Sequence, residues 1–124
     1  MTMIDHIELQ VADQALSTRF FAGALAPLGY ALHVQGASNG FGTGMDALDF
    51  WLKPGGPSEP RPHVAFNCAD RATVDTAYAA ALDSGGRDNG APAVLERIHP
   101  HYYAGFVRDP DGHNIEFVCH RATG

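Results

Sequence analysis

The chain has 124 residues, a length that suits one compact domain, and 45% of them are hydrophobic, enough for a core without disulfide staples. Eight basic against fourteen acidic residues give a net charge of −6, and no Lys/Arg cluster stands out, so the electrostatic footprint of a nucleic-acid binder is missing. No apolar run approaches the roughly 20 residues of a membrane span and no signal-peptide pattern opens the chain, so the expectation is a soluble cytoplasmic protein whose two cysteines, Cys68 and Cys119, are reduced.

In chain order, the first segment is strand-like: His6-Ile-Glu-Leu-Gln-Val-Ala-Asp13 alternates polar and apolar residues. A helix follows, with Asp13 as N-cap and Leu16, Phe20 and Ala24 recurring at i, i+4, i+8, until Pro27 and Gly29 end it. Strand-like runs then cover Tyr30 to Val34, roughly Asn39 to Gly44, and Asp49 to Leu52. The Gly-rich stretch Gly36 to Gly44 is no phosphate loop, because it lacks the Walker lysine and does not open onto a helix. After the Pro- and Gly-rich linker 54–61, the opening motif returns as His63-Val-Ala-Phe-Asn-Cys-Ala-Asp70. Asp70 caps a second helix with Val74, Tyr78 and Leu82 on one stripe and Gly85-Gly86 as its stop. Strands are expected at Val94 to Ile98, Tyr102 to Arg108 and Asn114 to Cys119, the last two joined by the turn Asp109-Pro-Asp-Gly112.

The sequence therefore reads as one domain, 1–124, of the α+β class: two repeated βαβββ modules, 1–53 and 62–124, forming a curved, partly open mixed β-sheet barrel with helices outside. Strand parity places His6, Glu8 and Gln10 on one face and Ile7, Leu9 and Val11 on the other; His63, Ala65 and Asn67 likewise oppose Val64, Phe66 and Cys68. The apolar faces must meet the helices, which leaves both histidines on the inner concave side of a curved sheet or in contact with water. Glu116 lies opposite Ile115, Phe117 and Cys119, so two imidazoles and a carboxylate can converge on one divalent ion.

Three segments carry a family resemblance: Ile4-Asp-His-Ile-Glu-Leu, Pro62-His-Val-Ala-Phe, and Phe106-Val-Arg-Asp-Pro-Asp-Gly-His-Asn-Ile-Glu-Phe. In this order and spacing the chain resembles the vicinal oxygen chelate superfamily, which includes glyoxalase I, bleomycin-resistance proteins, fosfomycin-resistance thiol transferases and extradiol dioxygenases. The resemblance implies metal ligation by His6, His63 and Glu116, with Ni, Mn, Fe, Co or Zn as the divalent ion. It implies a glyoxalase-like enzyme of the isomerase or lyase type acting on a small oxygen-bearing metabolite that chelates the metal, with Glu116 also catalytic through proton transfer. It further implies a homodimer in which His6 of one chain may meet His63 and Glu116 of another. Asp49 is a candidate fourth ligand or base, since Leu48-Asp-Phe mirrors Ile115-Glu-Phe; a two-residue slip would put Trp51 there, walling the pocket. Tyr102 and Tyr103 alternate faces, so one of them is a candidate phenol donor to substrate, and His101 is a further substrate-binding candidate. The rival readings are a metal-free protein sequestering a small molecule or drug, and a dioxygenase-like or thiol-transferase enzyme.

Overall fold

A computed structural model describes residues 3–122. Each module builds its own sheet. In the first, β1 (Ile7–Val11) pairs in parallel with β4 (Leu48–Pro54), which continues antiparallel through β3 (Asn39–Gly42) to β2 (Ala31–Val34). In the second, β5 (His63–Asn67) runs parallel to β9 (Asn114–Cys119), and β9 pairs antiparallel with β8 (Tyr103–Arg108). Two short strands, β6 (Arg87–Asp88) and β7 (Ala93–Val94), share the outer edge of β8. The result is the α+β architecture of two open sheets from duplicated units, not a closed barrel. Among the described residues no helix is long and apolar enough to cross a membrane.

The helices start where the side chains dictate. Asp13 Oδ1 accepts the Leu16 N–H at 3.0 Å to cap α1 (Gln14–Leu25), and Asp70 Oδ1 accepts the Thr73 N–H at 2.8 Å to cap α2 (Arg71–Asp83). A single 3-10 turn with Pro27 closes α1, and Gly29, at φ 83°, takes the left-handed conformation that releases the chain into β2.

The buried helix faces differ from the i, i+4, i+8 stripes. Steps of four residues advance the angle by 400°, so such a stripe drifts around the helix, whereas steps of three and four together hold one face. In α1 that face is Ser17, Phe20, Phe21, Ala24 and Leu25, and Leu16 is left 43% exposed. In α2 it is Val74, Ala77 and Ala81, with Tyr78 and Leu82 only partly buried beside it.

The expected strand Val94 to Ile98 is also corrected. Only Ala93–Val94 pairs with β8, because the chain turns away at Leu95, whose carbonyl accepts the N–H groups of Ile98 and His99. The short partner β6 had no alternating pattern to reveal it.

One core joins the modules through aromatic edges. Phe50 of β4 meets Phe21 of α1 at 4.9 Å and Phe66 of β5 at 5.1 Å, both edge-on, and Phe66 stacks on Phe117 of β9 at 6.2 Å. Phe50 is thus the bridge between the first helix and the second sheet. Phe50→Ala, which empties this buried contact, is expected to lower stability by about 3–5 kcal/mol in urea unfolding followed by circular dichroism; a loss well below 1 kcal/mol would show that the seam does not bear the packing.

Candidate functional site

Alternation along β1 and β5 is as the parity argument requires. Leu9, Val11, Val64 and Phe66 are buried on the helix side, while Glu8, Gln10, His63, Ala65 and Asn67 are exposed on the other. On β9 both faces are covered, so Glu116 is a carboxylate only 3% exposed, flanked by Ala65 on β5 and Phe106 on β8.

Two side chains meet at that carboxylate. His63 Nε2 lies 2.9 Å from Glu116 Oε1, and the Tyr102 hydroxyl donates to Glu116 Oε2. His63 Nδ1 stands 2.9 Å from the Asn114 carbonyl oxygen. A carbonyl only accepts, so Nδ1 carries a proton, and Nε2 faces the carboxylate either as a second donor of an imidazolium or with its lone pair turned to a cation that both share. Two acceptors cannot face each other at that distance without a positive charge between them, either an extra proton or a metal ion. A ring whose one nitrogen donates to a backbone carbonyl while the other points at an anionic oxygen is also the arrangement that orients a metal-bound histidine. The His63 ring is held from one side by Phe106, stacked at 6.5 Å.

All four tyrosines donate to carboxylates: Tyr30 to Asp49, Tyr78 to Asp88, Tyr102 to Glu116 and Tyr103 to Asp75. Burial, then the hydrogen bond to Glu116 and its negative charge, push Tyr102 up to about 12. Tyr103 points the other way, to α2, where Arg71 lies over its ring at 5.1 Å. Of the two adjacent tyrosines, Tyr102 therefore belongs to the site and Tyr103 to the packing.

His6 is set apart from this group. It precedes β1, is exposed, and its Nδ1 lies 2.6 Å from Asp5 Oδ1. Among the described residues, the one group of three or more His, Cys, Asp or Glu side chains with ligand atoms within 4.8 Å of one another is Asp109, Asp111 and His113, so His6 does not join His63 and Glu116 within one chain. That other group has a structural task. Asp109 Oδ1 accepts the N–H of Asp111 and of His113, its Oδ2 meets the fully buried His113 Nδ1 at 2.8 Å, and Asp111 accepts the Ala12 N–H, tying the β8–β9 turn to the first module.

Asp49 does not reach the site either. The β3–β4 register shifts between Phe41 and Gly42, opposite Leu48 and Phe50, and such a bulge re-aims the residue it leaves unpaired. Asp49 Oδ2 instead accepts the Tyr30 hydroxyl at 2.7 Å. Trp51 lies opposite Glu8, over Gly40, where any Cβ would strike its ring at 2.8 Å. His101 is exposed in the turn closed by the Tyr102 N–H on the His99 carbonyl; His99 lies 5.9 Å from His120, which packs edge-on to Tyr102 at 5.2 Å. His99, His101 and His120, the histidines the sequence offers for a pocket mouth, thus gather beside Tyr102 from two segments of the chain. Cys68 and Cys119 are buried, and burial pushes the Cys68 thiol up to about 12, which keeps it inert.

The profile of the Glyoxalase/Bleomycin resistance protein/Dioxygenase superfamily matches residues 3–117, and the chain belongs to that superfamily, which is built on the vicinal oxygen chelate fold. No curated protein sequence matches it. Among solved structures, a glyoxalase/bleomycin resistance protein from Albidiferax ferrireducens superposes with a TM-score of 0.82 at 20% identity, covering 97% of this chain and 100% of that one. A domain of the same description from Frankia gives 0.74 at 20% identity over 98% and 99% of the two chains. A glyoxalase-related enzyme from Fulvimarina pelagi gives 0.72 at 19% identity over 96% and 88%. These likenesses carry the fold.

The Tyr102 phenol stays neutral in the folded state above the pH at which an unfolded tyrosine ionises. Its contribution to stability is complete below pH 10 and is lost as pH rises through about 12. Alkaline unfolding should therefore steepen across that window in the native chain, and less so in Tyr102→Phe; identical pH profiles would deny the Tyr102–Glu116 bond.

Proposed function

We propose that this protein is a divalent-metal-dependent enzyme of the isomerase or lyase type, acting on a small metabolite that presents two neighbouring oxygens to the metal. The observation that supports this most is the pair of facing acceptors, His63 Nε2 and Glu116 Oε1 at 2.9 Å, around a carboxylate already held by Tyr102. Imidazole nitrogen and carboxylate oxygen suit Ni, Mn, Fe, Co or Zn. When bound there, such an ion supplies Lewis-acid polarisation of the substrate oxygens.

The third donor in this reading is His6 of a second copy. His6 and His63 have side chains 56% and 47% exposed, accessible to a partner. Large apolar residues stand exposed beside His6, at Met3 and Ile4, and before the His101 turn, at Ile98, as expected of surfaces that a homodimer covers. The partner's sheet would then bring Glu8 and Trp51 over the centre as further walls.

The chain's own residues divide the work. Glu116 would hold the ion through Oε1 and, when displaced from it, is the base for a substrate proton that lies within about 3 Å. Tyr102 fixes Oε2 and so decides which oxygen faces His63. Phe106 sets the plane of His63 and keeps water from one of its faces, and His101 and His120 line the rim on the Tyr102 side.

Metal analysis of protein purified without chelator should find about one ion per chain, with the ion lost in His63→Ala, Glu116→Gln and His6→Ala alike. Mixing the His6→Ala and His63→Ala chains should restore about a quarter of the sites, since half of the dimers are mixed and each holds one intact centre. No metal in the native protein would defeat the enzyme reading and favour sequestration; metal without recovery on mixing would retain the enzyme and remove the shared centre. Tyr102→Phe should keep the fold and weaken metal binding or turnover about 10–100-fold.

A further inference from the structure

A cavity of about 410 Å³ opens at the seam between the modules, and the centre described above does not use it: neither His63, Glu116 nor Tyr102 lines it. Its walls are Ile7, Phe50, Val64 and Phe66, and its polar groups include Tyr30 and Asp49. The volume falls in the range of small-molecule pockets.

The polar end is incomplete. Asp49 Oδ2 accepts the Tyr30 hydroxyl, but Oδ1 is buried without a hydrogen-bond partner. A buried carboxylate oxygen in that state has an unmet demand for a donor. No cationic group is supplied from the walls, because no Lys, Arg or His lines this cavity or the adjoining hollow formed by Asp5, Asp46 and Asp49, and the Asn67 side chain that also lines the cavity makes no hydrogen bond to Oδ1. Of these carboxylates, Asp5 is held by His6 at 2.6 Å. Apolar walls, one carboxylate lacking a donor and no cationic side chain define a complement: a single positive hydrogen-bond donor on a compact hydrocarbon body.

We propose that this seam cavity binds a small primary ammonium compound, its nitrogen at the Asp49 carboxylate and its hydrocarbon against Phe50, Val64 and Phe66. The bulge in β4 is what makes this possible, since it sends Asp49 into the seam instead of along the sheet face. The Tyr30 hydroxyl, donating to Oδ2, leaves Oδ1 for the ligand. Neither element depends on the metal reading.

Benzylamine and the uncharged hydrocarbon toluene, which lacks the amino group, test this directly, titrated into the isotope-labelled full chain with the amide signals of Asp49, Ala65 and Asn67 followed by NMR. Expected is saturable benzylamine binding at least about tenfold tighter than that of toluene, with Asp49→Asn reducing benzylamine to the toluene level. Absence of saturable shifts, or equal affinities of the two probes for the native chain, overturns the proposal. The native-chain comparison decides the matter even where Asp49→Asn fails to fold, and a folded Asp49→Asn that binds benzylamine undiminished also overturns it.

Discussion

A carboxylate enclosed between two strands governs this molecule's chemistry. Glu116 is buried in β9, paired with no Lys or Arg among the described residues, and its two oxygens meet different partners, one a phenol and one an imidazole. Burial makes an anion costly unless it is paired, so the site demands positive charge. A protein that only needed a stable sheet would have an apolar residue here, as it has at the neighbouring Ile115 and Phe117. The retained carboxylate points to function.

The two modules share a plan but not a division of labour. Both helices are capped by an aspartate at the same place in the repeat, and both first strands bury the same alternate residues. Yet His63 lies within β5 and reaches Glu116, whereas its counterpart His6 lies before β1 and reaches only Asp5. Trp51, opposite Glu8 as Glu116 is opposite Ala65, takes the carboxylate's place in the first module, while Asp49 is turned by a bulge onto Tyr30 and lines the seam. Duplication thus yields one histidine held against a buried carboxylate and one facing outward beside Asp5.

Packing explains why the seam has room to differ. The modules are joined by the helices and by the Phe21–Phe50–Phe66–Phe117 chain of rings, not by hydrogen bonds between the sheets. Edge-on rings fill area without filling every corner, and the corner left beside Ile7 and Val64 is the cavity. The β8–β9 turn braces the arrangement from the far end, through the buried Asp109–His113 pair and the reach of Asp111 to Ala12.

Much of this was legible before any coordinates, for local reasons. Period-two alternation fixed the inner and outer faces of β1 and β5, the aspartate caps fixed the helix starts, and Asp109-Pro-Asp-Gly112 fixed its turn, because each depends on residues close in the chain. The helix stripes were misread at Leu16 for a local reason too, the angular drift of four-residue steps. What tertiary structure alone decided was everything set by neighbours distant in sequence: that Tyr102 and not Tyr103 meets Glu116, that a bulge removes Asp49 from the sheet face, that β6 and β7 replace one longer edge strand, and that His6 stays apart within the chain. A sequence records which groups are available, but a carboxylate's role depends on which proton donors and cations surround it, and for Glu116 those neighbours come from segments 14 and 53 residues away.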